Sequence, residues 1–303
     1  MERPPISVLL PTTTWTPACG QVANQLQDGD ELLILCDYES DPVSERTDIP
    51  ASVSVIPAGE PAGCSGKANA IDVGMERAHN DRIVWTDDDF EHPDGWLERL
   101  SADYDANGPV SEVPFFRGRD PLSVLLEPTN AFGGTLMTWL GDVAWGGGVI
   151  FECDDLDVAA FRTDLTRTVS DDGTLGEHLD VTTVKRVRVV PAGGTTRESL
   201  ERYVRFISLT RFHAPGLTAF NLGALFAIVA ALVVAPLLTI GGLTATYGAV
   251  YAAFGIRRWT FLLAVPATVG NLPLFVYALA RRTFVWGGRR YRWRSMFDVE
   301  VVE

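Results

Sequence analysis

The chain has 303 residues, 21% of them charged, and a net charge of −14, a length that suits one sizeable α/β domain with a smaller accessory region. The charge is divided: residues 1–210 carry 36 acidic and 16 basic side chains, residues 211–303 carry 3 and 9. So acidic a leading part repels phosphodiester backbones, which bind through lysine and arginine that displace counterions, and nucleic acid is excluded as a partner.

Lys67 and Lys185 are the only lysines. This acidic, arginine-using composition resembles that of proteins from salt-accumulating archaea, where surface carboxylates hold water and salt screens their repulsion. Cys19, Cys36, Cys64 and Cys153 have no spacing that suggests a zinc site or redox dithiol and read as small hydrophobes in a reducing compartment. No basic segment followed by an apolar run opens the chain, so no secretory signal is expected and the acidic leading part is placed in the cytoplasm.

In chain order, residues 6–10, 32–36, 52–56 and 82–86 are short apolar, β-branched runs bounded by Pro, Gly and Asp, as strands covered on both faces read in a parallel sheet. Lys67–His79 has a helical period in Ala70, Ile71, Met75 and Ala78. Alternating strands and helices predict a doubly wound open α/β sheet whose ligands bind at the carboxyl ends of the strands. Residues 105–195, with Gly146, Gly147 and Gly148, are less regular and read as an acceptor-side subdomain without a core of its own. Residues 199–212 place Leu200, Tyr203, Val204, Ile207 and Phe212 on one side of a helix, suited to a membrane surface or to the domain core. Ala214–Ile256 is a run of 43 uncharged residues, and Trp259–Ala280 adds 22. A bilayer core of about 30 Å takes roughly 20 helical residues, so two or three crossings fit. Eight arginines from Arg257 to Arg294 place the C-terminus in the cytoplasm and favour two spans, with a turn near Gly241-Gly242 and a second span interrupted at Pro266.

The strongest local signal for chemistry is Asp87-Asp88-Asp89, three carboxylates after an apolar strand. Hard divalent ions bind carboxylate oxygens and bridge to phosphates, so a metal–diphosphate site is one reading and a solvated acidic turn is the other. Asp37 follows the second strand, where a carboxylate can accept hydrogen bonds from a nucleobase or ribose; Gly66-Lys67-Ala68-Asn69 opens a helix, and Asp171-Asp172-Gly173 precedes the apolar region. Arg202-Tyr203-Val204-Arg205-Phe206 adjoins that region. Asp172 stands where a helix N-cap would. His79, His92, His178 and His213 show no metal spacing and read as surface or packing residues, with His178 also a candidate for the acceptor pocket. Trp139 and Trp145 flank the glycine-rich segment and read as core, with a wall of the acceptor pocket as the alternative.

This order of motifs, from Ser7 to Arg294, resembles the inverting GT-A glycosyltransferases of family 2, in particular the ceramide-glucosyltransferase-like branch. The resemblance implies a GT-A fold followed by a helical transmembrane region: a cytoplasmic catalytic domain over 1–198, an interfacial helix over 199–213, transmembrane helices over 214–280 and a basic cytoplasmic tail over 281–303. It implies Asp37, with Asp41 second, at the nucleoside; Asp87 near the ribose and, with Asp89, at Mg2+ or Mn2+; and the pair Asp171-Asp172 at the catalytic base, Asp172 taking the base position. Lys67, Gly147 and Gly148 fall among the substrate-binding residues. Arg202, Arg205 and Phe206 match the Q/R-x-x-R-W motif under the leaving diphosphate, with Phe in place of Trp. Val285-Trp286-Gly287-Gly288-Arg289-Arg290-Tyr291-Arg292 resembles the W-R-x-G-R-Y-R tail without its first Arg, which brings Arg290 and Arg292 into the site. The function implied is transfer of a sugar from a UDP- or GDP-linked donor to a hydroxyl of a lipid, in a multi-pass protein of the cell membrane. The competing readings are a polyprenyl(dolichyl)-phosphate sugar synthase, whose ionised acceptor needs no base, and a non-catalytic membrane scaffold.

Overall fold

The computed structural model describes residues 3–302. In chain order the strands are β1 (Ile6–Pro11), β2 (Glu31–Cys36), β3 (Val53–Pro57), β4 (Arg82–Thr86), β5 (Val110–Gly118), β6 (Gly148–Glu152), β7 (Thr182–Ala192), β8 (Thr283–Trp286), β9 (Arg289–Ser295) and β10 (Asp298–Val302). The helices are α1 (Pro17–Ala23), α2 (Gly66–Arg77), α3 (Trp96–Asn107), α4 (Pro121–Asn130), α5 (Met137–Leu140), α6 (Val158–Leu165), α7 (Asp171–His178), α8 (Thr196–His213), α9 (Pro215–Val234), α10 (Pro236–Ala253) and α11 (Ala264–Ala280). The four strands expected from the apolar runs are present within a residue at each end. The contacts divide the described residues into one unit of 3–113, 139–188 and 297–301, and a second of 114–138, 189–296 and 302.

The first unit is built on a seven-stranded sheet ordered β3-β2-β1-β4-β6-β5-β7. β3, β2, β1 and β4 are parallel, as the sequence predicts, but β6 runs antiparallel to both β4 and β5, so the sheet is mixed. Successive side chains of a strand point to opposite faces, and both faces are covered. Leu9, Leu33, Leu35, Ile83 and Trp85 pack with Ile71 and Met75 of α2, Phe161 and Leu165 of α6 and Leu175 of α7. Val8, Leu10, Leu32, Ile34 and Val84 pack with Val22 of α1 and Trp96, Leu97 and Leu100 of α3. That double covering is why these strands read as continuous apolar runs. The four cysteines are unpaired, three of them buried, and burial raises the Cys64 thiol to about 11.

In the second unit α4 is capped by Asp120, whose carboxylate accepts from the Leu122 and Ser123 N–H groups, and continues into a π-helical stretch over Ala131–Leu136. α8 starts three residues earlier than its apolar period suggests, because Thr195 and Glu198 form a capping box. Two segments are long and apolar enough to cross a membrane, Pro215–Val234 and Trp259–Ala280, with mean hydropathy 2.3 and 1.7. The turn between the first two apolar helices does not lie at Gly241-Gly242, which sits inside α10. It lies at Ala235, held outside the helical region (φ −139°, ψ 65°) before Pro236. Proline crowds the preceding residue out of the helical region and cannot continue the hydrogen-bond ladder, so it ends α9 and begins α10. Pro266, likewise, stands in the first turn of α11, and Pro273 is the one inside it. The arginine-rich tail is ordered as strands: β8 and β9 form an antiparallel hairpin with Trp286 opposite Arg289 and Phe284 opposite Tyr291.

Candidate active site at the carboxyl edge of the sheet

Because β2, β1 and β4 are parallel neighbours, the chain leaves all three at one edge of the sheet. Asp37 follows β2, Thr12 follows β1, and Asp87-Asp88-Asp89 follow β4. The Thr12 hydroxyl donates to Asp88 Oδ2 at 2.5 Å. Burial pushes the Asp88 carboxyl above its ordinary range, the Thr12 bond opposing. Asp89 is exposed and Asp37 half-buried. Asp41 is used locally, its carboxylate accepting from the Tyr38 N–H at 2.8 Å.

The start of α2 comes to the same edge. Ser65 caps it by accepting from the Ala68 N–H at 3.0 Å, which puts Lys67 in the first turn. The Ser65 N–H donates to the Thr168 carbonyl at 2.9 Å, tying α2 to the segment that enters α7. There the N-cap is Ser170, whose hydroxyl accepts from the Gly173 N–H at 3.1 Å. The alternative role of Asp172 as the cap is therefore corrected: Asp171 and Asp172 are the first two residues inside the helix, where the positive end of its dipole favours anions.

These elements bring Lys67 Nζ to 2.6 Å from Asp87 Oδ1 and 3.1 Å from Asp171 Oδ2. Burial disfavours the Lys67 ammonium, but Asp171, Asp87 and Asp172 outweigh it and hold its pKa above that of an ordinary lysine. Asp171 is 3% exposed; burial pushes its carboxyl upward, Lys67 opposes this, and Asp172 and Asp87 add to it. One ammonium thus faces three carboxylates, so the lysine's charge is secured while the edge retains an excess of negative charge. Asp172 is half-buried, and its Oδ1 accepts from the Ser170 hydroxyl at 2.7 Å and the Gly173 N–H at 2.8 Å. Gly146 makes the meeting possible: a Cβ there would lie 2.7 Å from Asp171 Oδ2 and 3.3 Å from Lys67 Nζ. At Gly147 a Cβ would enter the Trp145 ring at 2.2 Å. Gly148 opens β6 beside Glu112.

His92, read from sequence only as a surface or packing residue, is buried under this edge at 2% exposure. The Thr86 hydroxyl gives its one proton to the Gly147 carbonyl at 3.0 Å, so His92 Nε2, 2.6 Å from the same hydroxyl, is the donor to it. Burial, reinforced by the Arg188 charge, pushes His92 down to about 3. An unfolded histidine takes its proton near pH 6.5, so the unfolded chain binds it first and stability falls as pH drops through about 6.5 towards 3. The expected loss from this group is about 3 kcal/mol between pH 7 and pH 4. His92→Gln, whose amide still donates to Thr86, should flatten that limb of stability against pH in denaturant titrations. Parallel profiles for the two proteins would contradict a neutral buried His92.

The remaining candidates lie elsewhere. His178 Nε2 is 2.9 Å from Asp164 Oδ2 and its ring stands edge-on to Phe161, so it is held where α6 meets α7. Lys185 lies over Trp139, and Trp145, 7% exposed, packs on Phe90. In the second unit, Arg202 lies over Phe116 at 4.4 Å and Phe206 at 5.0 Å. Arg205 lies 3.9 Å over the Trp286 ring. Arg205 thus lies on an indole of the tail hairpin, in which Arg290 and Arg292 stand opposite Val285 and Thr283. No spacing in the sequence shows that Arg205 and Trp286, so far apart in the chain, meet.

Among the described residues no group of three or more His, Cys, Asp or Glu is placed to cage a metal. The donor set at the sheet edge nevertheless suits a hard cation held partly by phosphate. Lys67 occupies one oxygen of Asp87, while the other oxygen and the Asp89 carboxylate are hard ligands of the kind that hold Mg2+ through one or two carboxylates plus phosphate oxygens.

Residues 60–147, which carry Lys67, the three aspartates and Gly146-Gly147, match the family described as Glycosyl transferase family 2. No curated protein matches the chain. Among solved structures, the mannosyltransferase PcManGT from Pyrobaculum calidifontis, in complex with GDP-Man and Mn2+, is 17% identical, covers 90% of this chain and 88% of its own, and superposes with a TM-score of 0.50. Glucosyl-3-phosphoglycerate synthase from Mycobacterium tuberculosis is also 17% identical and covers 68% of this chain and 80% of its own at a TM-score of 0.42. At such identities the likeness to the first is one of fold, here GT-A-like, and it is the match of residues 60–147, the aspartate-bearing segment, to Glycosyl transferase family 2 that speaks to chemistry.

Proposed function

We propose that this enzyme moves a sugar from a nucleotide-sugar to a hydroxyl of a lipid, with inversion, using Asp172 as base and Mg2+ or Mn2+ at Asp87 and Asp89. The observation that carries the reading is the junction of Lys67 with Asp87 and Asp171 at the carboxyl edge of the parallel strands, where open α/β sheets bind ligands. The edge is too acidic to receive a diphosphate on its own, since Lys67 faces three carboxylates. A divalent cation would neutralise the excess and stabilise the charge growing on the departing diphosphate. Asp37, two strands from Asp87 at about 10 Å by the usual strand spacing, suits a nucleoside lying across the edge. Lys67 holds Asp87 and Asp171 in place. Asp172, outside that junction and half-buried, is the carboxylate left to take a proton from an attacking hydroxyl. Arg202 and Arg205, each set over aromatic rings, are assigned to the leaving diphosphate. GDP-Man in the Pyrobaculum enzyme and UDP-glucose in the mycobacterial one define the donors to try first.

The test is calorimetric titration of GDP- and UDP-linked sugars with and without Mn2+. The wild type should bind one donor in a metal-dependent way, and Asp89→Ala should weaken that binding at least tenfold, about 1.4 kcal/mol, while leaving the metal-free affinity unchanged. Equal affinities in wild type and variant would remove the metal from Asp89.

A further inference from the structure

We infer that α9 and α10 form a single re-entrant hairpin that anchors the chain in a lipid bilayer from one face, and that the segment Trp259–Ala280, which ends in α11 and is long and apolar enough to cross, does not cross. The inference concerns the second unit alone and is independent of the sugar acceptor.

The hairpin is built for hydrocarbon. No charge occurs over residues 214–256, and α9, with 20 residues, is about 30 Å long, the thickness of a bilayer core. Its apolar side chains are turned outward rather than into a protein core: Phe220, Phe226, Val233, Val234, Leu237 and Leu238 are all exposed, the last four by 81–84%. Those four stand around the turn at Ala235. A loop that emerges into water on the far side of a membrane is normally polar, whereas here the one polar side chain of residues 233–240, Thr239, folds inward. Its hydroxyl bonds the Ala231 carbonyl at 3.1 Å and the Ala235 carbonyl at 2.9 Å. Internal satisfaction of this kind is what a chain immersed in lipid needs. The two feet of the hairpin differ from its tip. Arg211 precedes α9, and Arg257 and Arg258 follow α10, so the cations stand at one end only; Arg258 is held by Glu127, and the exposed Arg257 is suited to anionic headgroups.

α11 is fastened to polar elements over most of its length. Asn271 Oδ1 accepts from the Tyr203 hydroxyl at 2.5 Å, the Arg211 guanidinium reaches the Leu279 carbonyl at 3.4 Å, and Arg281 pairs with Glu201 at 3.3 Å. These contacts run over residues 271–281 of the chain and 201–211 of α8, about 15 Å of helix on each side. Across those 15 Å α8 carries Glu201, Arg202, Arg205 and Arg211. If α11 spanned the bilayer, α8 would be drawn into the hydrocarbon with it, and each such charge at the centre costs about 2.5 to 3.5 kcal/mol or more. The stretch of α11 before Asn271 is far shorter than the roughly 20 residues a crossing takes. α8 and α11 therefore belong at the lipid surface, and the chain on both sides of α11 stays on the face where the hairpin enters.

Single cysteines at three exposed positions test this in sealed membrane vesicles with a membrane-impermeant maleimide, against the labelling of the native cysteines. Arg257→Cys and Arg282→Cys should both react from the same side. Val234→Cys should react from neither side, before or after permeabilisation, and a lipophilic fluorophore there should be quenched by lipids brominated in their acyl chains. Reaction of the 257 and 282 positions from opposite sides would make α11 a span. Reaction of the 234 position from the side opposite to Arg257 would mean that the hairpin emerges into water. Recovery of the full chain in the soluble fraction after membranes are pelleted would overturn the anchor altogether.

Discussion

Asp172→Asn should lower sugar transfer by about 10² to 10⁴, the range typical of a lost general base, and leave donor affinity unchanged. The structure makes this substitution unusually clean. Ser170, not Asp172, caps α7, so the helix keeps its cap in the variant. The hydrogen bonds that Asp172 Oδ1 accepts from the Ser170 hydroxyl and the Gly173 N–H are ones an amide oxygen also accepts. Asp172 is not among the carboxylates that hydrogen-bond Lys67, so the junction with Asp87 and Asp171 survives. What the variant loses is a charge and a proton acceptor in the first turn of a helix. The helix dipole favours that charge by only about 0.3 to 1 kcal/mol, far less than 10² to 10⁴ in rate corresponds to. Transfer to extracted membrane lipids by wild type and variant, with donor binding measured in parallel, decides the matter. Near-normal transfer by the variant would mean an acceptor already ionised at neutral pH, a polyprenyl phosphate in place of a lipid hydroxyl. An equal loss of donor binding would instead mean that Asp172 serves the donor.

Which parts of this architecture the sequence discloses follows from how local each determinant is. β1, β2, β3 and β4 are legible because both faces of a parallel sheet are buried and the whole strand becomes apolar. β6 is equally apolar in Gly148–Glu152, but its direction depends on the path of the chain through residues 87–147, and no periodicity records a direction. α4 is missed because Pro121 and Pro128 and the π-helical stretch after it obscure a 3.6-residue period. Its start was nonetheless written in Asp120-Pro121, an N-cap followed by proline. The same holds for α8, whose capping box Thr195-x-x-Glu198 lies upstream of its first apolar residue. For the hairpin turn the sequence points to the glycine pair Gly241-Gly242, where backbone freedom suggests a bend. Glycine permits a bend, whereas Ala235-Pro236 compels one. At the site, the sequence shows which residue types follow which strands. It cannot show that Lys67 and Asp171 meet, or that Gly146 is glycine because they do.

The buried carboxylate of Glu112 lies wholly outside what motifs reveal, and Glu112→Ala should be the most destabilising single change in the first unit. Glu112 is inaccessible to solvent. Its Oε1 and Oε2 each lie 2.6 Å from the Arg188 guanidinium in a bidentate pair, Trp96 Nε1 donates to it at 3.0 Å, and Arg186 adds a contact at 3.1 Å. The carboxylate thereby joins α3 to β5 and β7. It also borders Gly148, where a Cβ would come within 3.1 Å of Oε2, so its position shapes the floor beneath the glycine segment. A buried ion pair of this kind adds little over a well-packed apolar pair. Removing one partner is different, because it strands the other charge without water, at a cost of about 3 to 5 kcal/mol. In Glu112→Ala the stranded charge is Arg188, 8% exposed, and Arg186 retains Asp103 at 2.7 Å. For a domain of this size that cost corresponds to a fall in the thermal midpoint on the order of 10 °C. The double variant Glu112→Leu, Arg188→Leu removes both charges and should recover much of the loss. Asp48→Ala, which breaks the exposed pair with Arg46, should leave the midpoint unchanged. Thermal unfolding of the four proteins in one detergent, followed by near-ultraviolet circular dichroism, makes the comparison. A midpoint for Glu112→Ala within a degree or two of wild type would show that water reaches Arg188 and that the cluster is not sealed.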